Sequence, residues 1–262
     1  MDELKKITDQ FEGISLDDTS KNVALLERID AKYILTNDML PSILEACQYE
    51  YQILEVNNKR LCKYETIYYD TSALDYYHAH HAGHLNRIKI RVRNYIDSDT
   101  RYLEVKHKNN KGLTRKIRKP LMHNENDYLV KLKDPEFINI SSMVKENIEQ
   151  SIQIDYTRIT LVNINSKERV TIDINLSFKN KKTERELKNY VVAEVKQYKT
   201  KPSFFKSLMK KETIREGSMS KYCLGITQLY NEVKKNHFKL IINKIEKKEK
   251  IYGATANYYK YN

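Results

Sequence analysis

Several residue types that mark common protein classes are scarce in this chain. Its 262 residues include no tryptophan, three cysteines, four prolines and six glycines. The cysteines are scattered and form no CxxC pair, so neither a disulfide framework nor a thiolate zinc site is indicated. No apolar run approaches the roughly 18–20 residues of a membrane-spanning helix, and the N-terminus MDELKKITDQ is unlike a signal peptide. These absences predict a soluble, cytoplasmic protein.

Positive charge is in clear excess. The formal net charge is +12 and the isoelectric point is about 9.3. Such a balance favours an anionic partner, for which nucleic acid, phosphorylated molecules and an acidic membrane are the candidates. With 40% hydrophobic residues, the chain can bury the core of one large domain. We predict a single domain over residues 1–252 and a loose tail over 253–262.

Residues 85–119 contain three segments in which charged and apolar residues alternate. They are Lys89–Arg93, Leu103–Lys108 and Lys116–Arg118. A period of two is typical of a β-strand, and it puts the charges on one face. For one such strand alone, a solvated sheet face is the simpler interpretation. Three strands of the same polarity favour a polyanion site built from strand faces.

Other strands with one polar and one apolar face recur along the chain. We predict them over 28–35, 51–56, 64–69, 154–163, 168–176 and 190–197, which gives about eight with the basic segments. Helices are predicted over 40–47, 203–211 and 220–235, through most of 120–150, in a short segment that starts at 70–72 and ends near Gly83, and in a final basic segment. The fold class is therefore α+β.

Two architectures fit these strand faces. An open sheet would turn its charges outward, whereas a closed barrel would enclose a basic tunnel and carry helices packed outside. The periodicity does not separate them. Four acids, Asp30, Glu104, Asp173 and Glu194, share faces with the bases. Inside a tunnel, an acid among bases suits a divalent cation that bridges to phosphate oxygens.

Seven motifs occur in order along the chain: RIDAKY, KIRVR, LEVKHKNNKG, DYTRITL, ERVTIDINL, AEVKQ and SKYCLG. Their order and spacing resemble those of VTC-domain proteins of the triphosphate tunnel metalloenzyme superfamily. The resemblance covers most of the chain and implies an antiparallel eight-stranded β-barrel, the triphosphate tunnel. It implies a polyphosphate polymerase that transfers the γ-phosphate of ATP to a growing chain. ATP or another triphosphate and polyphosphate are the implied ligands, and Mn²⁺ or Mg²⁺ is the implied cofactor.

The resemblance also implies roles for individual residues. The implied catalytic residues are Lys32, Arg91, Arg93, Arg158, Arg169 and Glu194, with Glu194 as the metal ligand. The implied phosphate-binding residues are Arg28, Lys89, Lys106, Lys116, Arg118, Tyr156, Lys196 and Lys221. Most of the superfamily has ExExK where this chain has Arg28, Asp30 and Lys32. This departure disfavours a two-metal hydrolytic site and favours a one-metal site.

Three other functions remain open at this stage. A tripolyphosphatase or nucleoside triphosphatase would differ only in using water as the acceptor. A non-catalytic module could bind polyphosphate or inositol phosphates, although Glu194 argues against it because anion binding needs no metal ligand. Nucleic-acid binding would require basic side chains in an exposed groove. Here the lysines and arginines lie within strands, so no nucleic-acid partner is predicted. A membrane partner, as the fungal relatives have, would be a separate protein.

Two further clusters are given structural interpretations. The segment from His78 to His84 contains four histidines, but adjacent imidazoles on a short turn rarely converge on a tetrahedral metal. A turn before the first basic strand is the favoured interpretation. The C-terminal lysines from Lys244 to Lys250 are interpreted as a solvated helix face, with membrane-surface docking as the alternative.

Overall fold

The computed structural model describes residues 1–22, 29–122, 143–198 and 201–258, together with residues 132, 134 and 137. The strands in these ranges are β1 (Gly13–Ile14), β2 (Ile29–Leu35), β3 (Gln52–Leu54), β4 (Cys62–Thr71), β5 (Arg87–Tyr95), β6 (Thr100–Lys108), β7 (Thr114–Leu121), β8 (Ile148–Asn163), β9 (Glu168–Lys179), β10 (Glu184–Leu187) and β11 (Val191–Gln197). The α-helices are α1 (Asp2–Thr8), α2 (Leu16–Asn22), α3 (Leu40–Cys47), α4 (Asp75–His81), α5 (Phe204–Lys211), α6 (Lys221–Leu229) and α7 (Lys239–Tyr258).

One curled sheet organises the molecule. Its eight main strands follow the order β2-β11-β9-β8-β4-β5-β6-β7, and each neighbouring pair is antiparallel. β1 pairs with β3, β3 with β8, and β10 with β9. The prediction of eight antiparallel strands is confirmed for this main path, and α3 and α5 pack outside it as predicted, whereas α6 lies on the inner face.

The sheet is not a closed barrel, which corrects the expected closure. β2 and β7 are the two ends of the main path, and no ladder joins them within the described ranges. A short backbone contact lies on the free edge of β2, where Gly217 N donates to Lys32 O at 2.8 Å. The curvature still turns one face inward, so the tunnel fold survives without a continuous ring of strands.

The outer face of the sheet carries the larger part of the apolar core. Alternate residues of β2, β9 and β11, such as Tyr33, Ile172 and Val195, pack against α3 and α5. Alternate residues of β5, β6 and β7 form a second cluster that includes Val92 and Leu103. Because strand side chains alternate between faces, this packing sends the charged residues of the same strands to the concave face.

Helix α6 packs on the concave face at one end of the sheet. Its residues share an apolar cluster with Tyr68 of β4 and with the start of β8. This close packing requires glycine at position 225, because a Cβ there would lie 2.6 Å from Ile152 Cδ1 and 2.7 Å from Phe178 Cδ1. The Ser220 hydroxyl caps the helix by accepting from Cys223 N. One end of the concave face is thus filled by a helix.

The element boundaries differ from the prediction in four places. β8 begins at Ile148, inside the segment predicted to be mostly helical, and residues 123–131, 133, 135–136 and 138–142 of that segment lie outside the described residues. β10 lies in a predicted polar loop. Helix α6 ends at Leu229 rather than near 235. The predicted tail at 253–262 is helical as far as Tyr258, and residues 259–262 are also undescribed.

No helix in the described ranges is both long enough and apolar enough to cross a bilayer.

Candidate functional site

A strongly cationic cleft lies on the concave face, with a volume of about 340 Å³. Its lining comes from β2, β4, β5, β6, β8, β11, α4, and the segment that leads into α6. The lining residues are Asp30, Lys32, Tyr68, His80, Arg87, Lys89, Arg91, Arg93, Lys106, Arg158, Val192, Glu194, Lys196, Ser218, Met219, Ser220 and Lys221. Nine cations therefore surround two carboxylates in one enclosed space.

Most of the residues predicted from the sequence meet in this cleft. Those that line it are Lys32, Lys89, Arg91, Arg93, Lys106, Arg158, Glu194, Lys196 and Lys221. The β5 row shows how the sequence brings them together, because Ile90 and Val92 are fully buried in the outer core. The bases between them must then point inward.

The other predicted residues lie around the cleft or beyond the described chain. Arg28 is outside the described residues. Lys116 and Arg118 lie on β7, next to Glu104, and Arg169 shares its strand face with Asp173. The remaining predicted residue, Tyr156, packs against the lining. Its ring centroid lies 5.3 Å from Arg158 Cζ and 5.2 Å from Lys221 Nζ. Its buried hydroxyl has no hydrogen-bond partner in the described part of the chain.

The sequence interpretation missed several lining residues. Tyr68 is uncharged, and its hydroxyl accepts a hydrogen bond from Arg91 Nη1 at 3.0 Å. Its place in the period-two pattern with Tyr64 and Thr66 is the sequence signal that could have identified it. The Ser220 hydroxyl accepts a hydrogen bond from Lys89 Nζ at 2.8 Å. The position of Ser220 before a helix gave no sign of this contact with β5. Arg87 extends the β5 row by one step.

Glu104 is a buried carboxylate that holds several bases at once. Its side chain is 0% exposed, and its Oε2 lies 2.7 Å from Arg91 Nε. Lys116 Nζ contacts the other oxygen, and Arg118 Nε lies 3.6 Å from it. Burial alone would raise the pKa of Glu104, but Arg91, Arg93 and Lys116 outweigh it and lower that pKa strongly. Glu104 is therefore a permanent anion that positions guanidinium groups.

Asp173 does the same on the opposite wall. Arg158 binds it through two nitrogens, at 2.6 Å and 2.9 Å, and Lys221 also contacts it. Burial would raise its pKa, but Arg158 and Lys221 lower it to about 2. A fork of this kind fixes the guanidinium plane, and it ties the start of α6 to β9.

Glu194 differs from these two acids in its partners and in its exposure. Its ion pairs with described residues are to lysines, with Oε1 2.6 Å from Lys196 Nζ and 3.7 Å from Lys32 Nζ, and its side chain is 19% exposed. Burial would raise its pKa, but the two lysines outweigh it and lower that pKa strongly. A carboxylate that is charged, partly open and held by flexible ammonium groups can exchange those partners for a cation.

The donor set fits a divalent cation that arrives with its substrate. In the described ranges, no three His, Cys, Asp or Glu side chains are grouped to hold a metal by themselves. Glu194 and Asp30 both line the cleft. Mg²⁺ typically binds one or two carboxylates and completes its shell with water and phosphate oxygens. The cleft supplies carboxylates for that arrangement but no resident cage.

Two lysines in the cleft have depressed pKa values. Burial, together with the charge of Arg91, lowers the pKa of Lys106 to about 7. Burial lowers the pKa of Lys196 to about 8, although Glu194 acts in the opposite direction. Both lysines therefore hold their proton less tightly than a lysine side chain in water.

Three of the four histidines lie on α4, which confirms the short helical segment predicted to end near Gly83, and His84 follows that helix. His80 faces the cleft, where burial and then the nearby Lys89 lower its pKa to about 3. The imidazole of His81 points elsewhere and stacks on His237, with ring centroids 4.5 Å apart. Among the described residues, no three His, Cys, Asp or Glu side chains are grouped here to hold a metal ion.

Comparison with known proteins places the chain in a family. A family model described as the VTC domain matches residues 27–230, which is most of the chain. The chain belongs to the VTC-domain family. No curated protein matches it. The VTC-domain motifs identified in the sequence are therefore confirmed as a family signature.

Three solved structures with a similar course of the chain are distant in sequence from this VTC-domain protein. HpAC1 from Hippeastrum, an adenylyl cyclase candidate with a dominant triphosphatase activity, has a TM-score of 0.48 at 12% identity, covering 76% of this chain and 96% of its own. PH1819 from Pyrococcus horikoshii OT3 has a TM-score of 0.42 at 13% identity, covering 74% and 95%. An adenylate cyclase candidate from Vibrio parahaemolyticus has a TM-score of 0.43 at 10% identity, covering 75% and 95%.

Membership in the VTC-domain family supports a polyphosphate-related or triphosphatase function. The same membership supports phosphoryl-transfer chemistry on triphosphate substrates. Triphosphate tunnel proteins generally use divalent metal ions for this chemistry.

Proposed function

We propose that this VTC-domain protein is a polyphosphate polymerase, which transfers the γ-phosphate of ATP to a growing polyphosphate chain. The observation that carries the proposal is the cleft itself, in which nine cations on fixed strands surround the partly open carboxylate of Glu194. Phosphoryl transfer needs in-line positioning and neutralisation of charge more than covalent help from protein.

The arginines are suited to gripping the donor. Arg91 is held by Glu104 and Tyr68, and Arg158 by Asp173, so their remaining nitrogens face the cleft in fixed directions. Guanidinium groups bind phosphate through two nitrogens and keep their charge near neutral pH. Donors fixed in this way stabilise developing charge without reorganisation.

Mn²⁺ or Mg²⁺, with Glu194 and Asp30 as the nearest carboxylates, would neutralise the triphosphate and polarise the transferred phosphoryl group. Lys32 and Lys196 now balance Glu194. Once a cation takes over the carboxylate, both ammonium groups become free to contact phosphate oxygens.

Cations beyond the cleft lining favour a long polyanion over a lone triphosphate. Lys116 and Arg118 on β7, the edge strand of the main path, continue the cationic surface beyond the cleft lining, and their side chains are 38% and 40% exposed. A triphosphate would be covered by the enclosed cations alone. The further row suits additional phosphate units.

The test is incubation of the purified protein with ATP and Mn²⁺, followed by gel separation with a polyphosphate stain and a parallel assay for free phosphate. A ladder of long chains is the expected result. Free phosphate without chains would show that water is the acceptor and would replace the proposal with a triphosphatase. Neither product, together with tight triphosphate binding, would indicate a non-catalytic sensor or an enzyme that requires a partner.

Triphosphate binding is expected to take up protons at pH 8. The pKa of Lys106 is lowered to about 7 and that of Lys196 to about 8, so both amines are largely or partly neutral at that pH. A bound polyanion favours the charged forms and raises both pKa values. Calorimetry in buffers of different ionisation enthalpy should show the uptake, and Lys106→Met should remove much of it. Heats that do not depend on the buffer would contradict these pKa values.

A further inference from the structure

A group of aromatic side chains follows the cationic rows at the end of the cleft away from α6. We propose that Tyr95, Tyr102 and Arg118 form a stacking platform for the nucleobase of the donor nucleoside triphosphate. The inference rests on the proposed function and adds to it the recognition of a nucleoside. The argument uses the order of residues along three strands, the position of α6 and the geometry of the rings.

The chemistry of the β5 and β6 rows changes at the same end. On the inward face of β5 the order is Lys89, Arg91, Arg93 and then Tyr95. On β6, Tyr102 lies beyond Glu104 at that end, and on β7 the planar guanidinium of Arg118 lies beyond Lys116. The register places Tyr102 opposite Arg93 on β5, and Arg118 opposite Glu104. Cations that suit phosphate thus give way to flat aromatic surface.

Helix α6 fixes the direction in which an elongated ligand can protrude. Lys89, at the other end of the β5 row, donates to Ser220 at the start of α6. The helix then packs on Ile152 and Phe178 and fills that end of the concave face. Lys89 and Tyr95 lie about 20 Å apart by the strand rise of ~3.4 Å per residue. A triphosphate bound along this row would therefore point its nucleoside towards Tyr95.

The rings form a continuous series that starts at the cleft lining. Tyr64 lies under Arg158 and Arg93, whose Cζ atoms are 5.0 Å and 6.0 Å from its ring centroid. Tyr95 lies 5.0 Å from Tyr64, and Tyr102 lies 5.7 Å from Tyr95 in an edge contact. The outermost member is Arg118, whose Cζ is 3.5 Å from the Tyr102 ring centroid. Nucleobases stack on both surfaces of this kind, aromatic rings and guanidinium planes.

Core packing does not account for the outer members. Tyr95 and Tyr102 are only partly buried and belong to none of the apolar clusters formed by the described residues. The Arg118 side chain is 40% exposed and lies 3.6 Å from Glu104, while Arg91 is much closer to that acid. A partly exposed aromatic and guanidinium surface next to a phosphate site is what a nucleobase would use.

The test compares ATP with inorganic tripolyphosphate, which lacks a nucleoside, by calorimetry with the full chain and Mn²⁺. Tyr102→Leu is expected to weaken ATP binding roughly 5- to 150-fold, which corresponds to the ~1–3 kcal/mol of one stacked base. Its affinity for tripolyphosphate should change by less than about twofold, which also shows that the variant is folded. Tyr102→Phe, which keeps the ring, should restore ATP affinity. The matched control is Tyr49→Leu, because Tyr49 is 93% exposed and away from the cleft.

Two results would overturn the platform: an equal loss of ATP and tripolyphosphate affinity in Tyr102→Leu, or no loss of either. A wild-type protein that binds neither ligand would instead overturn the proposed function, so the two failures are distinguishable.

Discussion

Glu194→Gln is expected to abolish turnover while triphosphate binding partly survives. The substitution keeps the size of the side chain but removes the charge that would hold the divalent cation. A metal ion supplies several kcal/mol of transition-state stabilisation, so the rate should fall by at least roughly 10³-fold. Lys32 and Lys196, which now contact the carboxylate, would be released towards the phosphates, and this keeps part of the binding energy.

The measurement pairs steady-state turnover of ATP with calorimetric binding of tripolyphosphate, with and without Mn²⁺. In the variant, Mn²⁺ should no longer strengthen binding. A matched control is Glu149→Gln, whose side chain is 51% exposed in a surface pair with Lys181 and should leave both readouts unchanged. Full activity in Glu194→Gln would exclude the metal assignment.

Glu104→Gln is expected to destabilise the protein by about 3–5 kcal/mol at neutral pH. The carboxylate is fully buried and faces Arg91, Lys116 and Arg118. Removal of one member of a buried ionic network leaves uncompensated charge in a poorly solvated place. Chemical denaturation at pH 7 gives the size of the loss, and a variant as stable as the wild type would show that the network contributes nothing.

The pH dependence of that loss has a definite sign. The folded-state pKa of Glu104 is lowered, so its contribution is fully present above the unfolded pKa of about 4.3. The contribution is lost as the pH falls from there towards the lowered folded value. The difference in stability between wild type and variant should therefore shrink below about pH 4. Tripolyphosphate should recover part of the stability at neutral pH, because an anion that binds only the folded state stabilises it.

The strands that build the site were predictable because their signal is local. In β5 the alternation of Lys89, Ile90, Arg91, Val92 and Arg93 contains both the strand and the direction of each side chain. The same reasoning placed Glu194 and Lys196 on one face of β11. These features need only the period of two and an apolar core on one side.

Features that depend on distant contacts were not predictable in this way. The open seam between β2 and β7 depends on the curvature of the whole sheet, which cannot be predicted from the pattern of any single strand. The packing of α6 on the concave face depends on the absence of a side chain at Gly225, which the sequence shows without its neighbours. The different roles of the acids were not predictable either, because Glu104 and Glu194 have the same alternating context. Glu104 contacts arginines as well as Lys116 and is fully buried, whereas Glu194 is partly exposed and contacts Lys32 and Lys196.

In a closed barrel, the number of strands and their stagger set the radius. Here no ladder links the first and last strands of the path in the described ranges. The segment from Gly217 to Lys221 spans the two walls instead. It contacts β2 through Gly217, β5 through Ser220 and β9 through Lys221. Three polar contacts, rather than a strand ladder, thus set the separation of the walls, so that separation can change without any loss of sheet pairing.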